Sequence, residues 1–264
     1  MIIHEIEKIP RGIEKKIIID SKKAFIPITS YTLVNGCIDD YFYKKINMDK
    51  VKKRYSGNYA DLLLKYYKSL SRYIKCNQLC ALILSGNDLF EISKKIESDE
   101  ILCDNRVVTY KEIKDIFINA LIGIKKLENS NDRNIGIDSS IWNYTKRGIF
   151  FDYDPPKILG VDTLFTVKGD LDQEKRTMYR SFDYIGMRMN SLATIILGNS
   201  ARNFKIENLP ENYIDELIDI MFESINDLDK INDIKKQIYG EEEKVDFSNH
   251  PINIIRKELN KNGK

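Results

Sequence analysis

Between residues 110 and 127, apolar side chains recur every three or four positions: Ile113, Ile116, Phe117, Ala120, Leu121, Ile124 and Leu127. Lys111, Glu112, Lys114, Lys125 and Lys126 fall off that stripe. Such spacing predicts a helix with one buried face. Thr109 precedes it as an N-cap, with Glu112 three residues later as a capping-box partner. The same period predicts helices over 59–75 (Leu62, Leu63, Tyr66, Tyr67, Leu70, Tyr73, Ile74), over 180–197 and over 212–228, and a short one from Pro251. Gly198-Asn199 is expected to close the second of these.

The β-type signals lie mostly in the first hundred residues. Segments 16–20 (KIIID) and 24–29 (AFIPIT) flank the polar turn Ser21-Lys22-Lys23, and 40–46 (DYFYKKI) is aromatic and β-branched. Segments 81–85 (ALILS) and 89–94 (LFEISK) bracket Gly86-Asn87-Asp88, a strong hairpin turn. One later stretch belongs with them: Ile149-Phe150-Phe151, after a tight turn at Lys146-Arg147-Gly148, reads as a short apolar strand ending at Asp152. Asp154 and the pair Pro155-Pro156 stop it. A β-rich first part, 1–98, followed by a mainly helical remainder, 99–264, is an α+β layout.

Composition narrows the function classes. The chain has 264 residues, 42% hydrophobic and 31% charged, with 42 basic and 40 acidic side chains for a net charge of +2. No global field draws it to nucleic acid, and the basic run KVKKRY at 50–55 reads as a solvated face. No apolar run approaches the roughly 20 residues of a membrane helix, and no signal-peptide core opens the sequence. Cys37, Cys76, Cys80 and Cys103 are too few for a disulfide framework, and with only His4 and His250 a zinc site is not expected. A cytoplasmic protein is expected, with neither nucleic acid nor membrane as partner.

The candidate chemistry lies in 134–159. Asp138, Asn143 five residues on, and Asp152 at the end of the apolar strand stand in the order that phosphoryl transfer from ATP requires. One carboxylate orients an acceptor hydroxyl, while an amide oxygen and a second carboxylate hold magnesium against the phosphates. This segment, preceded by a long apolar helix, resembles the catalytic loop and metal-binding segment of the protein-kinase-like fold. The resemblance is to the aminoglycoside phosphotransferase and choline kinase branch, whose members act on small molecules.

The resemblance implies a two-lobed α+β fold, with a small β-rich amino-terminal lobe (1–98) and a larger helical carboxy-terminal lobe (99–264). It implies an enzyme that uses ATP and Mg to phosphorylate a hydroxyl of a small molecule such as an amino sugar or amino alcohol. Asp138 would be the catalytic carboxylate, and Asn143 and Asp152 the metal ligands, with Asp154 competing for the latter role. Lys44, or its neighbour Lys45, would meet the α- and β-phosphates; adjacent strand residues face opposite sides, so only one can enter the cleft. Residues 94–98, including Lys94 and Ile96, would be the hinge holding the adenine through main-chain groups.

Three departures from the family stand out. The turn at 21–23 has no glycine, Asp61 is the only acid on the helix where a glutamate is expected, and Gly136 stands where the family carries a histidine strut. They keep a second expectation open: a catalytically silent kinase-like module that binds a nucleotide or a partner. The lone Trp142 is expected to pack in the core or stack on a substrate ring.

Overall fold

A computed structural model describes residues 3–6, 15–19, 24–28, 35–38, 40–47, 58–85, 88–102, 106–130, 135–152, 182–200, 204–240 and 250–261. Several expectations lie outside them: the turn at 21–23, the basic run at 50–55, Gly86 and Asn87, and Asp154 to Pro156.

The strands are β1 (Ile3–Ile6), β2 (Lys15–Ile19), β3 (Ala24–Ile28), β4 (Asn35–Ile38), β5 (Tyr41–Asn47), β6 (Leu79–Ser85) and β7 (Asp88–Lys94), followed by β8 (Arg106–Thr109) and β9 (Phe204–Glu207). The helices are α1 (Tyr59–Leu70), α2 (Tyr110–Asn129), α3 (Tyr184–Ser200), α4 (Tyr213–Glu223), α5 (Leu228–Tyr239) and α6 (Pro251–Lys261). The chain is therefore α+β. Its largest sheet has the order β1-β6-β7-β5-β4, and β2-β3 and β8-β9 form separate two-stranded ribbons.

The strands expected at 16–20, 24–29, 40–46, 81–85 and 89–94 form within a residue or two of those bounds. β6 and β7 make the expected hairpin, paired out to Ser85 and Asp88. β5 runs antiparallel to β7 with Lys44 opposite Glu91 and Phe42 opposite Ser93. Alternation then sorts the side chains. One face of β5–β7–β6 carries Ile46, Leu89 and Leu82, which pack with Tyr59, Ala60 and Leu63 of α1. That same face carries Phe42, Lys44, Glu91 and Ser93 toward its other end.

A larger apolar core gathers α2, α3, α4, α5 and α6 around Phe117, Ile124, Leu192, Leu217 and Ile255. α2 begins with the expected capping box, the Thr109 hydroxyl accepting from the Glu112 N–H while Glu112 accepts from the Thr109 N–H. Tyr66, Leu70 and Ile74 reach from the α1 region into this core.

Several boundaries differ from expectation. α1 stops at Leu70, and residues 71–78 form a turn that leads into β6. α3 continues through Gly198 to Ser200, and the glycine serves packing instead of a cap: a Cβ at 198 would meet the Phe204 ring at 2.2 Å. The helix expected over 212–228 ends at Glu223, and a second begins at Leu228, with the Asp227 side chain accepting from the N–H groups of Asp229 and Lys230. Among the described residues, no helix is long and apolar enough to cross a membrane.

Candidate functional site

The chain from Ile135 to Asp152 carries most of the candidate chemistry, and α3 holds its first half. Ser139 donates its hydroxyl to the Met187 carbonyl at 2.8 Å, and Ser191 donates to the Ser139 carbonyl at 2.7 Å. The Ile141 N–H donates to the Thr194 hydroxyl at 2.9 Å, and the Asn190 amide donates to both Ser139 and Ser140. Residues 187, 190, 191 and 194 form one stripe of α3 at helical spacing, fully buried against the loop. Sequence reasoning missed this brace. Its signal was present: Asn190, Ser191 and Thr194 fall at helical spacing among the apolar residues Met187, Met189, Leu192, Ile195 and Ile196.

Tyr66 of α1 supports the loop from another side, donating its hydroxyl to the Gly136 carbonyl at 2.7 Å across a separation of 70 residues. Gly136 itself lacks room for a side chain, since a Cβ would meet the Phe182 ring at 2.3 Å. Burial, and then the negative charge of Asp152, with smaller contributions from Cys76 and Asp138, push the Tyr66 phenol well above its ordinary range. It remains a neutral donor.

Beyond the short 3-10 turn Ile141–Asn143, the chain makes the expected tight hairpin: Thr145 N–H donates to Ile149 O and Gly148 N–H to Thr145 O, each at 2.8 Å. The strand expected at 149–151 is reduced to bridges at Phe150, which pairs with Tyr144 on one side and Cys76 on the other. Phe150 is fully buried, and the chain emerges from the core at Phe151 and Asp152, both half-buried.

The structure brings most of the sequence candidates into one cleft of about 250 Å3, lined among others by Lys44, Lys94, Ile96, Asn143 and Asp152. Phe42, Ile101 and Phe151 supply apolar wall, and Asn77, Glu91 and Ser93 supply polar groups. Lys45 is on the other face of the sheet, 2.9 Å from Asp88 and over the Phe90 ring. Lys44 is therefore the lysine that enters the cleft.

The cleft is graded along the strands. Phe42, Ser93 and Ile96 lie at the end where β7 runs into residues 95–97. Lys44 and Glu91 lie two residues further in, roughly 7 Å at the usual strand rise. At the outer end, the Lys94 ammonium sits 4.7 Å from the centre of the Tyr41 ring, and its carbonyl accepts from the Asn77 amide at 2.8 Å. Among the described residues, no hydrogen bond engages the peptide N–H or C=O of Ile96. The Asn77 N–H donates to Phe150 O at 2.7 Å, so this residue ties the end of β7 to the segment that presents Asp152. It too was missed by the sequence reading.

Asp138 is placed differently. It is half-buried and does not line the cleft. One carboxylate oxygen accepts from the Ser140 N–H at 3.1 Å and the Ser140 hydroxyl at 2.5 Å, and its carbonyl accepts from the Asn143 amide at 3.1 Å. The Asn143 amide nitrogen is thus used by the loop, and among the described residues its side-chain oxygen accepts no hydrogen bond. Two of the three convergent oxygen groups therefore share the cleft, while Asp138 lies on the same loop beside it. Asp61 is exposed near the start of α1 and does not line the cleft. Trp142 is half-buried and packs against the larger core.

The chain matches no family model and no curated protein. The site's chemistry must carry the reading alone. Asp152 and Asn143 offer hard oxygen donors of the kind magnesium takes, and Lys44 offers a cation beside them. Among the described residues, no three His, Cys, Asp or Glu side chains converge as a ready-made metal centre. A wider depression of about 590 Å3 between α2 and α4 is lined by charges of both signs, including the Lys114–Glu216 ion pair at 2.5 Å. It brings together none of the sequence candidates.

Proposed function

We propose that the protein is a small-molecule kinase of the two-lobed protein-kinase-like type, transferring a phosphoryl group from ATP, with magnesium, to a hydroxyl of an amino-sugar-like or amino-alcohol-like acceptor. The observation that carries the reading is the meeting of Lys44, Lys94, Ile96, Asn143 and Asp152 in one cleft. These positions were selected from sequence order, and they come from segments far apart along the chain. The apolar end at Phe42, Ile96 and Ile101 suits a planar base, with the Ile96 peptide open to it. The inner end at Lys44, Asn143 and Asp152 suits a triphosphate and its cation.

In this reading each residue has a limited task. Lys44 neutralises phosphate oxygens, and Asp152 and Asn143 hold magnesium, which offsets the charge developing on the phosphates when bound. Asp138 uses one carboxylate oxygen to accept from Ser140, which fixes its orientation. The other oxygen is left to accept the proton of the acceptor hydroxyl. Its position beside the cleft fits an acceptor that approaches from the loop side while the nucleotide fills the cleft.

The test is phosphate transfer from labelled ATP to a panel of amino sugars and amino alcohols. Asp138→Asn is expected to keep nucleotide affinity within about twofold while lowering turnover by about 100-fold or more, the usual scale for a positioned acid–base group. Turnover retained by that variant contradicts the role of Asp138. The second reading, a silent nucleotide-binding module, is favoured by the glycine at 136 in place of a histidine strut. It predicts nucleotide binding with no transfer to any acceptor.

A further inference from the structure

We infer that the groove between α2 and α4 is the contact surface of a symmetric dimer, its occupant being a second copy of this chain. The floor of the groove is apolar. Ile118 and Ile122 fall off the buried stripe of α2 and line the groove, as does Ile220 of α4. Ile122 is 47% exposed in the middle of a 20-residue helix. A helix with apolar residues outside its buried stripe ordinarily has them covered by something else.

The charges indicate what covers them. α2 contributes Lys114 and Lys125 to the groove, whereas α4 contributes Glu216, Asp219 and Glu223. α4 has no basic residue along its length. One wall is therefore basic and the other acidic. Lys114 and Glu216 pair across the groove at 2.5 Å. Lys125, Asp219 and Glu223 make no ion pair with another described residue.

The direction of the helices then selects one arrangement. Tyr110, at the start of α2, donates to Glu216 in the first turn of α4 at 2.7 Å. Arg188 joins Glu128, near the end of α2, to Ser224, just past the end of α4. The two helices thus run side by side in the same direction. A two-fold axis along the groove lays α2 of each copy on α4 of the other at the same height, so basic wall meets acidic wall twice. An axis across the groove lays α2 on α2 and α4 on α4, like charge against like. Only the first arrangement is attractive. It sets Lys125 near Glu223 of the partner subunit, closes the isoleucines over one another at the centre, and leaves no open end for further copies.

Sedimentation equilibrium of the full chain tests this, with variants at exposed or half-buried positions that leave the fold intact. The wild type should show a monomer–dimer equilibrium. Lys125→Glu and Glu223→Lys should each weaken it by at least about 10-fold, because each sets like charges opposite one another at two places. Ile122→Ser should weaken it by about 10-fold as well, through lost apolar burial. An equimolar mixture of Lys125→Glu and Glu223→Lys should regain most of the association, since both contacts of the mixed pair again join opposite charges. A wild type that stays monomeric to about 100 µM, far weaker than a standard-size interface, overturns the inference and leaves the groove to a different protein. A dimer that none of these substitutions weakens is joined elsewhere and overturns it too. A mixture no stronger than its components contradicts the two-fold arrangement.

Discussion

Tyr66 and Tyr144 both bury a phenol beside the candidate loop, but only Tyr66 has an acceptor for its proton. The Tyr66 hydroxyl donates to Gly136 O, whereas among the described residues the Tyr144 hydroxyl has no hydrogen-bond partner. Removing one partner of a buried hydrogen bond leaves the other unsatisfied, while removing an unpartnered hydroxyl relieves a desolvation cost. Tyr66→Phe should therefore cost about 1–3 kcal/mol in urea unfolding, and Tyr144→Phe should leave stability unchanged or slightly raised. Equal losses for the two variants would contradict this account of the loop. The same scale shows why Lys44 was legible and Glu91 was not. Lys44 follows an aromatic run that marks its strand, and alternation alone limits the choice to it or Lys45. Glu91 and Ser93 alternate with Phe90 and Ile92, a pattern that ordinarily marks the solvent side of a strand. Only the register with β5 turns that polar face toward a cleft.

Among the elements, α2 was the most readable because its apolar stripe and its capping box agree with each other. α3 was read for its apolar positions alone, so its buried polar stripe became visible only with the loop laid against it. At the start of α6, His250 is a second such case. Only 4% exposed, it accepts the Ile252 N–H on Nδ1 at 3.2 Å, and burial lowers its pKa from 6.5 to about 4. The folded state thus favours the neutral imidazole, and the unfolded chain takes up the proton first as pH falls. The stability contributed by this residue is present above pH 6.5 and is lost progressively between pH 6.5 and about 4. His250→Asn keeps an acceptor for the helix N–H and removes the titration. Urea midpoints of that variant should show a shallower decline over this interval than the wild type; identical slopes would remove His250 from the pH response.

For the whole molecule, the α+β order was legible because strand and helix periods segregate along the chain. The pairing pattern was not. β1 and β4 are four-residue strands that no hydrophobic run marks, and β4 lies on the sheet edge. β8 pairs with β9 in parallel almost a hundred residues later, a contact with no local signature. The candidate site shows the same division. The residue types and order at 138, 143 and 152 were visible in sequence, whereas Asn77, Glu91 and the α3 brace depend on long-range packing.

The central claim is that the cleft between β5–β7 and the 143–152 segment holds a nucleoside triphosphate through magnesium. Thermal melting of the wild type and of Asp152→Asn, each with ATP alone and with ATP plus magnesium, tests it most directly. At about 100 times the dissociation constant a ligand adds about 2.7 kcal/mol, which for a chain of this size raises the midpoint by about 5–10 °C. The account predicts that rise for the wild type with magnesium-ATP and loss of its magnesium-dependent part in Asp152→Asn. A wild-type midpoint unmoved by any nucleoside triphosphate, with or without magnesium, would contradict it.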